Sequence, residues 1–176
     1  MSNRRRSVNG AMAVYNRETN MEHALKAELA SRVQVFSNGG GTQSCATAVL
    51  IAQGKLPKPD IAVMVDTERE HGLVFEYQKK YITPLLESVG VETVIIKKSD
   101  YTNRDVFYKA ESGKETLLIP AYSTFSGEKS KTPGLCSDKW KVIPLRRFLT
   151  ERFGDRAKYV QWIGFTTDEM RRVKMS

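Results

Sequence analysis

The residues best suited to chemistry lie between Val33 and Gly54, in VQVFSNGGGTQSCATAVLIAQG. A short apolar run leads into Gly39, Gly40 and Gly41, which open onto a segment with helical spacing. A loop that leaves a strand and enters a helix turns several backbone N–H groups toward its mouth, where the helix dipole adds fractional positive charge. Glycine permits positive φ and lets the backbone approach a ligand closely. Phosphate is the natural ligand of such a mouth. The plain alternative is a tight strand-to-helix turn that holds nothing.

Three phosphate loops make different demands. A Walker loop ends in Gly-Lys-Ser/Thr, and Thr42, Gln43 and Ser44 supply no lysine. A dinucleotide fingerprint needs Gly-x-Gly-x-x-Gly/Ala with an acid about twenty residues on; Gly39, Gly41 and Asp66 fit, but Ser44 occupies the last small position. A pyrophosphatase-type loop, Ser-Gly-Gly-x-x-Ser in its usual form, grips phosphate oxygens with glycine amides and a terminal serine hydroxyl.

On this third reading, FSNGGGTQS with AQGKLPKPDIAVMVDTERE resembles the phosphoadenosine phosphosulfate reductase-like members of the adenine nucleotide alpha-hydrolase superfamily, the PP-loop ATP pyrophosphatases. Their usual motif is Ser-Phe-Gly-Gly-Gly-x-Gln-Ser, followed by Ala-Asp-Thr-Gly. LCSDKWKVIPLRRFL is similar to their Cys-Thr-x-x-x-Lys-x-x-Pro-x-Arg-Arg, and WIGFTTDEMRRVK to their Trp-Ile-Gly-Ile-x-x-Asp-Glu-x-x-Arg. The resemblance covers most of Val33 to Lys174. It implies a phosphate loop of Ser37, Gly39, Gly40, Gly41, Thr42, Gln43 and Ser44, with Asp66 and Thr67 beside the adenosine or the metal-bound phosphates. Lys141, Arg146, Arg147 and Arg172 match positions that face an anionic nucleotide. The implied ligand is ATP or phosphoadenosine phosphosulfate with Mg²⁺ held through Asp66, and the implied reaction is cleavage at the α-phosphate or transfer of an adenylyl or sulfur group. Ser44, Asp66, Lys141 and Cys136 are the candidate catalytic residues.

Two departures bear on the reaction. Phosphoadenosine phosphosulfate reductases use the cysteine of a C-terminal Glu-Cys-Gly, whereas this chain ends in RRVKMS. Cys136 reads first as a half-buried structural cysteine; with the long loop before it closed over the site it would be the substitute nucleophile, Lys139 and Lys141 favouring its thiolate. Cys45 reads as core, and two cysteines do not provide for an iron–sulfur cluster. Glu68 stands where a glycine is usual. His71 reads as a polar cap or a general base, His23 as surface, and Trp140 and Trp162 as anchors, with Trp140 also placed to stack on a base.

The elements that position these residues follow from hydrophobic periodicity. Residues 1–18 read as a flexible basic lead-in and 19–176 as one nucleotide-binding domain. NMEHALKAELASR has Asn20 as a cap and Met21, Ala24, Leu25 and Leu29 on one face; then come a strand at Val33–Phe36 and a helix from about Ser44 to Gln53, stopped by Gly54. DIAVMVD is an unbroken apolar run of the kind buried parallel strands show. Leu73, Val74, Tyr77, Tyr81, Leu85 and Leu86 give a helix from Gly72 to Val89, bent at Pro84 and stopped at Gly90. VETVIIKK is the third strand, NRDVFYKA a short helix, and the segment up to Cys136 an apolar stretch followed by a long polar loop. PLRRFLTERFG is a helix with Pro144 near its first turn, YVQWIG a strand, and TTDEMRRVK a last helix with Thr166 and Glu169 as a capping box. Regular alternation of strand and helix gives an α/β fold: three layers, a mostly parallel sheet flanked by helices, Rossmann-like and adenine nucleotide alpha-hydrolase-like.

The chain has 176 residues, 28 Lys and Arg against 20 Asp and Glu, and a formal charge of +8. A positive field of this kind draws anions, so a nucleic-acid or protein acceptor is an expected partner besides the adenine nucleotide, and a module that binds nucleic acid through its basic helices is a separate reading. A binder that sequesters nucleotide without turnover is another. No apolar run approaches the ~18 residues of a membrane span, and MSNRRRSVNG is not followed by the apolar block of a secretory signal. The expected location is cytoplasmic with no membrane partner, and a homo-oligomer is compatible with the composition.

Overall fold

The computed structural model describes residues 26–109, 113, 115–124, 127, 129–131, 134–154 and 158–164. The basic lead-in, the cap at Asn20 with Met21, Ala24 and Leu25, His23, Arg172, and the last helix with Thr166 and Glu169 lie outside the described residues. In chain order the elements are α1 (residues 26–30), β1 (Val33–Ser37), α2 (Thr42–Ala52), β2 (Ile61–Asp66), α3 (Gly72–Tyr77), α4 (Thr83–Glu87), β3 (Glu92–Lys97), β4 (Phe107–Lys109), β5 (Glu115–Leu117), β6 (Tyr122–Ser123), β7 (Ser130–Lys131), α5 (Ile143–Phe153) and β8 (Tyr159–Trp162).

Four strands form one parallel sheet in the order β3-β2-β1-β8. Val35 of β1 lies opposite Ile61 of β2 on one side and Gln161 of β8 on the other. The steps from β1 to β2 to β3 all run in one direction, so right-handed crossovers place α2, α3 and α4 on one face. The return from β3 to β8 runs the other way and puts α5 on the opposite face. Side chains on a strand alternate between faces, and the two cores follow that alternation. Phe36, Ala48, Ile51, Ala62, Ile82, Leu86 and Val91 pack on the α2 and α4 side, while Val35, Ile61, Val63, Leu145 and Leu149 pack on the α5 side. Every residue of Ile61–Val65 is buried, which accounts for the unbroken apolar run of β2. The expected three-layer α/β fold is the one the chain adopts.

Both helices that contain proline differ from the sequence expectation, and for one reason. Gln78–Ile82 forms a π-helical turn between α3 and α4, closed by the Thr83 N–H on the Gln78 carbonyl. Asp138–Val142 forms another before α5, closed by the Ile143 N–H on the Asp138 carbonyl. In each case the closing residue immediately precedes a proline, Pro84 or Pro144. Proline has no N–H, and its ring collides with the carbonyl four residues back; widening the turn by one residue relieves that conflict. Pro84, where a bend is expected, therefore goes with a wider turn. Helix α5 itself starts at Ile143 with Pro144 in its first turn, as expected, and helical backbone extends before it through the wide turn back to Cys136.

The apolar face read for the Gly72–Val89 helix also needs correction. Leu73, Tyr77 and Tyr81 are exposed, and the buried line is Gln78, Ile82 and Leu86, continued by half-buried Val74. The polar Gln78 hides this i, i+4 stripe from a hydrophobicity reading. NRDVFYKA is not a helix: Phe107 pairs with Leu117 and Lys109 with Glu115 in an antiparallel ribbon. Val106 and Phe107 are residue types that suit a pleated surface, and β5 supplies the partner. The long polar loop contains a second ribbon, with Tyr122 opposite Lys131.

Candidate functional site: the glycine loop and the carboxyl ends of β1 and β2

The glycine loop leaves the carboxyl end of β1 at the point where sheet order reverses, since β2 flanks β1 on one side and β8 on the other. Open parallel sheets bind ligands in the crevice at such a reversal. The segment after β8 borders the same region: a Cβ added at Gly164 would lie 3.3 Å from Thr47 Oγ1 and 3.5 Å from Gln43 Cβ on α2.

Inside the loop, the Asn38 N–H donates to the Val63 carbonyl at 2.9 Å, so sheet-like pairing persists one residue past β1. The Gly39 N–H donates to Ser44 Oγ and the Gly40 N–H to Asn38 Oδ1, both at 2.9 Å. Gly40 has φ +75°, and a Cβ there would lie 2.8 Å from Met64 Cε and 3.0 Å from Val74 Cγ1. Helix α2 begins at Thr42 behind Gly41, whose position as N-cap carries no side-chain cap. The N–H groups of Thr42, Gln43 and Ser44 thus belong to the uncapped first turn, which has no intrahelical acceptor for them. The helix starts two residues before the expected Ser44. Thr42 is exposed, Gln43 half-buried and Ser44 buried.

Ser37, at the root of the loop, has its Oγ buried with no hydrogen-bond partner among the described residues. A buried hydroxyl without a partner costs free energy relative to an apolar group of similar shape. Ser37→Ala is therefore expected to leave the free energy of unfolding unchanged or raised by up to ~1 kcal/mol, measured by chemical denaturation; a loss above that size would show that the hydroxyl has a partner.

At the end of β2, Asp66 Oδ1 accepts the Glu68 N–H at 2.6 Å, and Thr67 is buried. Glu68 has φ +59°, the left-handed region, at the position where the resembling family has glycine. Two hydrogen bonds hold it there: its N–H to Asp66, and its Oε2 accepting the Ser99 N–H at 3.0 Å. His71 is the N-cap of α3, its Nδ1 accepting the Leu73 N–H at 3.2 Å, so the expected polar cap is present.

Thr67 also lines a pocket of about 170 Å³ with Glu70, Cys136, Trp140 and Lys141. Lys141 Nζ pairs with Glu70 at 2.6 Å, and Lys139 Nζ with Asp138 at 2.7 Å. The two cations expected to favour a Cys136 thiolate are therefore both engaged by carboxylates, although Cys136 lines the same pocket as Lys141 and Thr67. Arg146 and Arg147 fall elsewhere, lining a separate groove on α5 with Thr150 and Glu151. Arg147 Nη1 donates to the Tyr101 carbonyl. Trp140 is buried, its Nε1 donating to the Arg104 carbonyl at 2.9 Å with Lys98 Nζ 4.9 Å from the ring centroid, an arrangement suited to an anchor and not to stacking on a base. Trp162 anchors β8 through Nε1 to Gln34 Oε1 at 2.8 Å. Cys45 is half-buried against the α2-side core, as expected.

Two groups nearby titrate away from their ordinary ranges. The Val106 N–H, with further help from the Arg69 guanidinium, holds the Asp105 carboxyl below the usual carboxylate range. Burial, with smaller contributions from Glu151 and Asp100, pushes the Tyr101 phenol up. Among the described residues no group of three or more His, Cys, Asp or Glu side chains is placed to hold a metal ion. Sequence reasoning missed two residues of the loop's support, Asn38 and Gln78. An Asn before a glycine pair is an Asx-turn signal that was there to be used; Gln78 gives no such signal, because its role depends on which helix face is buried.

No family model matches the chain, and no solved structure matches it. Among curated proteins it is 25% identical over 153 residues to the uncharacterized nin region protein ORF290 of Escherichia phage lambda, an alignment that covers 81% of this chain and 51% of that protein. The chain thus spans about half the length of that relative.

Proposed function

We propose that the glycine loop binds an adenine nucleotide, ATP or a relative such as phosphoadenosine phosphosulfate, through its phosphates. The observation that carries this reading is the loop's location and state: a Gly-Gly-Gly turn at the reversal of strand order, opening onto an α2 N-terminus that no side chain caps. Thr42, Gln43 and Ser44 offer first-turn N–H groups to phosphate oxygens, while Ser44 Oγ holds the Gly39 N–H in place. Asp66, on the neighbouring strand end, suits a magnesium ion. Mg²⁺ on a nucleotide commonly takes one or two carboxylates and completes its shell with phosphate oxygens and water, so one protein carboxylate is an adequate donor set. When bound, the ion neutralises phosphate charge. The chain's own residues would hold the phosphates at the loop through the first-turn N–H groups, with Asp66 on the neighbouring strand end.

The reaction class that goes with this reading is cleavage at the α-phosphate of ATP, in which an acceptor's nucleophile forms a bond to the α-phosphorus and pyrophosphate leaves. A second reading, nucleotide binding without turnover, is favoured by one observation. Lys141 is paired with Glu70, and Arg147 is committed to the Tyr101 carbonyl, so two expected cations are not free to follow developing charge. Incubation with α- and γ-labelled ATP and magnesium separates the two: pyrophosphate release supports the enzyme, and tight binding with ATP recovered intact supports the binder. Ser44→Ala is expected to weaken ATP about tenfold or more in either case, by releasing Gly39 and removing a hydroxyl beside the phosphates. Unchanged affinity in calorimetry would place the nucleotide elsewhere.

A further inference from the structure

A buried polar chain runs beneath the glycine loop. Gln78 is 1% exposed although it sits on an otherwise apolar line with Ile82 and Leu86. Its Oε1 accepts Asn38 Nδ2 at 2.7 Å, and its Nε2 lies 3.4 Å from Cys45 Sγ as donor. Asn38, itself 8% exposed, uses Oδ1 to accept the Gly40 N–H at 2.9 Å. An Asn amide is free to rotate about its last torsion, and turning it end for end would present an N–H₂ to the Gly40 N–H. Gln78 prevents that turn: with Oε1 facing Asn38 Nδ2, Asn38 Oδ1 is left pointing at Gly40. Gln78 is the first residue of the π-helical turn, and its own carbonyl closes that turn. The wide turn therefore fixes the residue whose amide fixes the loop.

Burying a glutamine on the core side of a helix costs free energy unless both ends of the amide are satisfied. A leucine there would extend the apolar stripe without that requirement. We propose that Gln78 is a positioning residue for the nucleotide site, acting through Asn38 to hold the Gly40 peptide so that the N–H groups after it face the phosphates. The inference rests on the phosphate-loop reading for its effect on ligand, but the coupling of Gln78 to Gly40 stands apart from it.

The test uses the full chain with Gln78→Met, Asn38→Ala and the double variant. Methionine keeps the length and shape of glutamine and suits the apolar surroundings, so the fold is retained; Gln78→Leu is the second choice if it is not. Amide hydrogen exchange comes first and needs no ligand. Gln78→Met is expected to speed exchange of the Gly40 N–H by about tenfold or more, with the amides of β1 and β2 unchanged. Equal acceleration throughout the sheet, or none at Gly40, overturns the coupling. Calorimetry with ATP and magnesium comes second. Each single variant is expected to weaken ATP by roughly tenfold and the double variant by no more than Asn38→Ala alone, because both act on one hydrogen bond. Additive losses would assign Gln78 a general packing role and overturn the proposal. If the unaltered protein binds no ATP while Gly40 exchange still responds to Gln78, the nucleotide reading fails and the positioning of the loop stands.

Discussion

Gly40→Ala is expected to abolish measurable nucleotide binding and to destabilise the protein by about 1–3 kcal/mol. Two costs combine. A residue with a Cβ held at φ +75° is in a region that L side chains rarely adopt, and the added methyl would stand 2.8 Å from Met64 Cε and 3.0 Å from Val74 Cγ1. The Met64 terminus is flexible, but the side chain is only 4% exposed and has little room to withdraw. The peptide must then shift toward the loop mouth, where phosphate oxygens would sit. Gly54→Ala provides the control: Gly54 has φ +69° and nothing within 4 Å of its added Cβ. It is expected to show only the backbone cost, about 1 kcal/mol, with ATP affinity unchanged. Denaturation midpoints and calorimetry on the two variants therefore separate backbone strain from contact. If Gly40→Ala binds ATP like the unaltered chain, the loop is a turn and not a phosphate site.

The legible parts of this fold are those in which local pattern and tertiary role agree. The run IAVMVD can be buried on both faces only as a central strand, and Gly54 and Gly90 both adopt the positive φ expected of residues that stop helices. The glycine loop was legible because its residues are consecutive and the strand before it and the helix after it are local pattern. Where the structure departs from local pattern, partners distant in sequence decide. Phe107 becomes strand because Leu117 pairs with it, and nothing in NRDVFYKA carries that information. Arg146 and Arg147 match a motif, yet the turn at Asp138–Val142 and the helix after it carry Lys141 to one pocket and the arginines to another. The partner of Lys141, Glu70, comes from the β2–α3 connection. Charge pairing between segments so far apart leaves no periodic trace. Tyr77 and Tyr81 misled for a related reason: large apolar residues suggested a buried face, while the true face includes Gln78.

Phe36→Ala is expected to show the largest loss of stability of any single truncation in the sheet, about 3–5 kcal/mol. Phe36 is fully buried, faces the core on the α2 and α4 side, and lies opposite Ala62 on β2 and Trp162 on β8. Its small neighbours Ala48 and Ala62 cannot expand into the space left behind, so the cavity would persist rather than collapse. For a domain of this size such a loss lowers the midpoint of thermal unfolding by roughly 6–20 °C and consumes a large share of the ~5–15 kcal/mol that holds a typical domain folded. The effect on ligand is expected to be opposite in kind to that of Gly40→Ala. Phe36 positions the strand and not the loop peptide, so the molecules that remain folded should keep most of their affinity, and excess ATP should recover part of the lost midpoint by mass action. Thermal unfolding of Phe36→Ala with and without ATP and magnesium checks both halves. A midpoint within about 2 °C of the unaltered protein would mean that the core repacks around the missing ring. A large drop that ATP cannot offset would mean that the strand and the loop form one cooperative unit, in which the site loses its shape with the core beneath it.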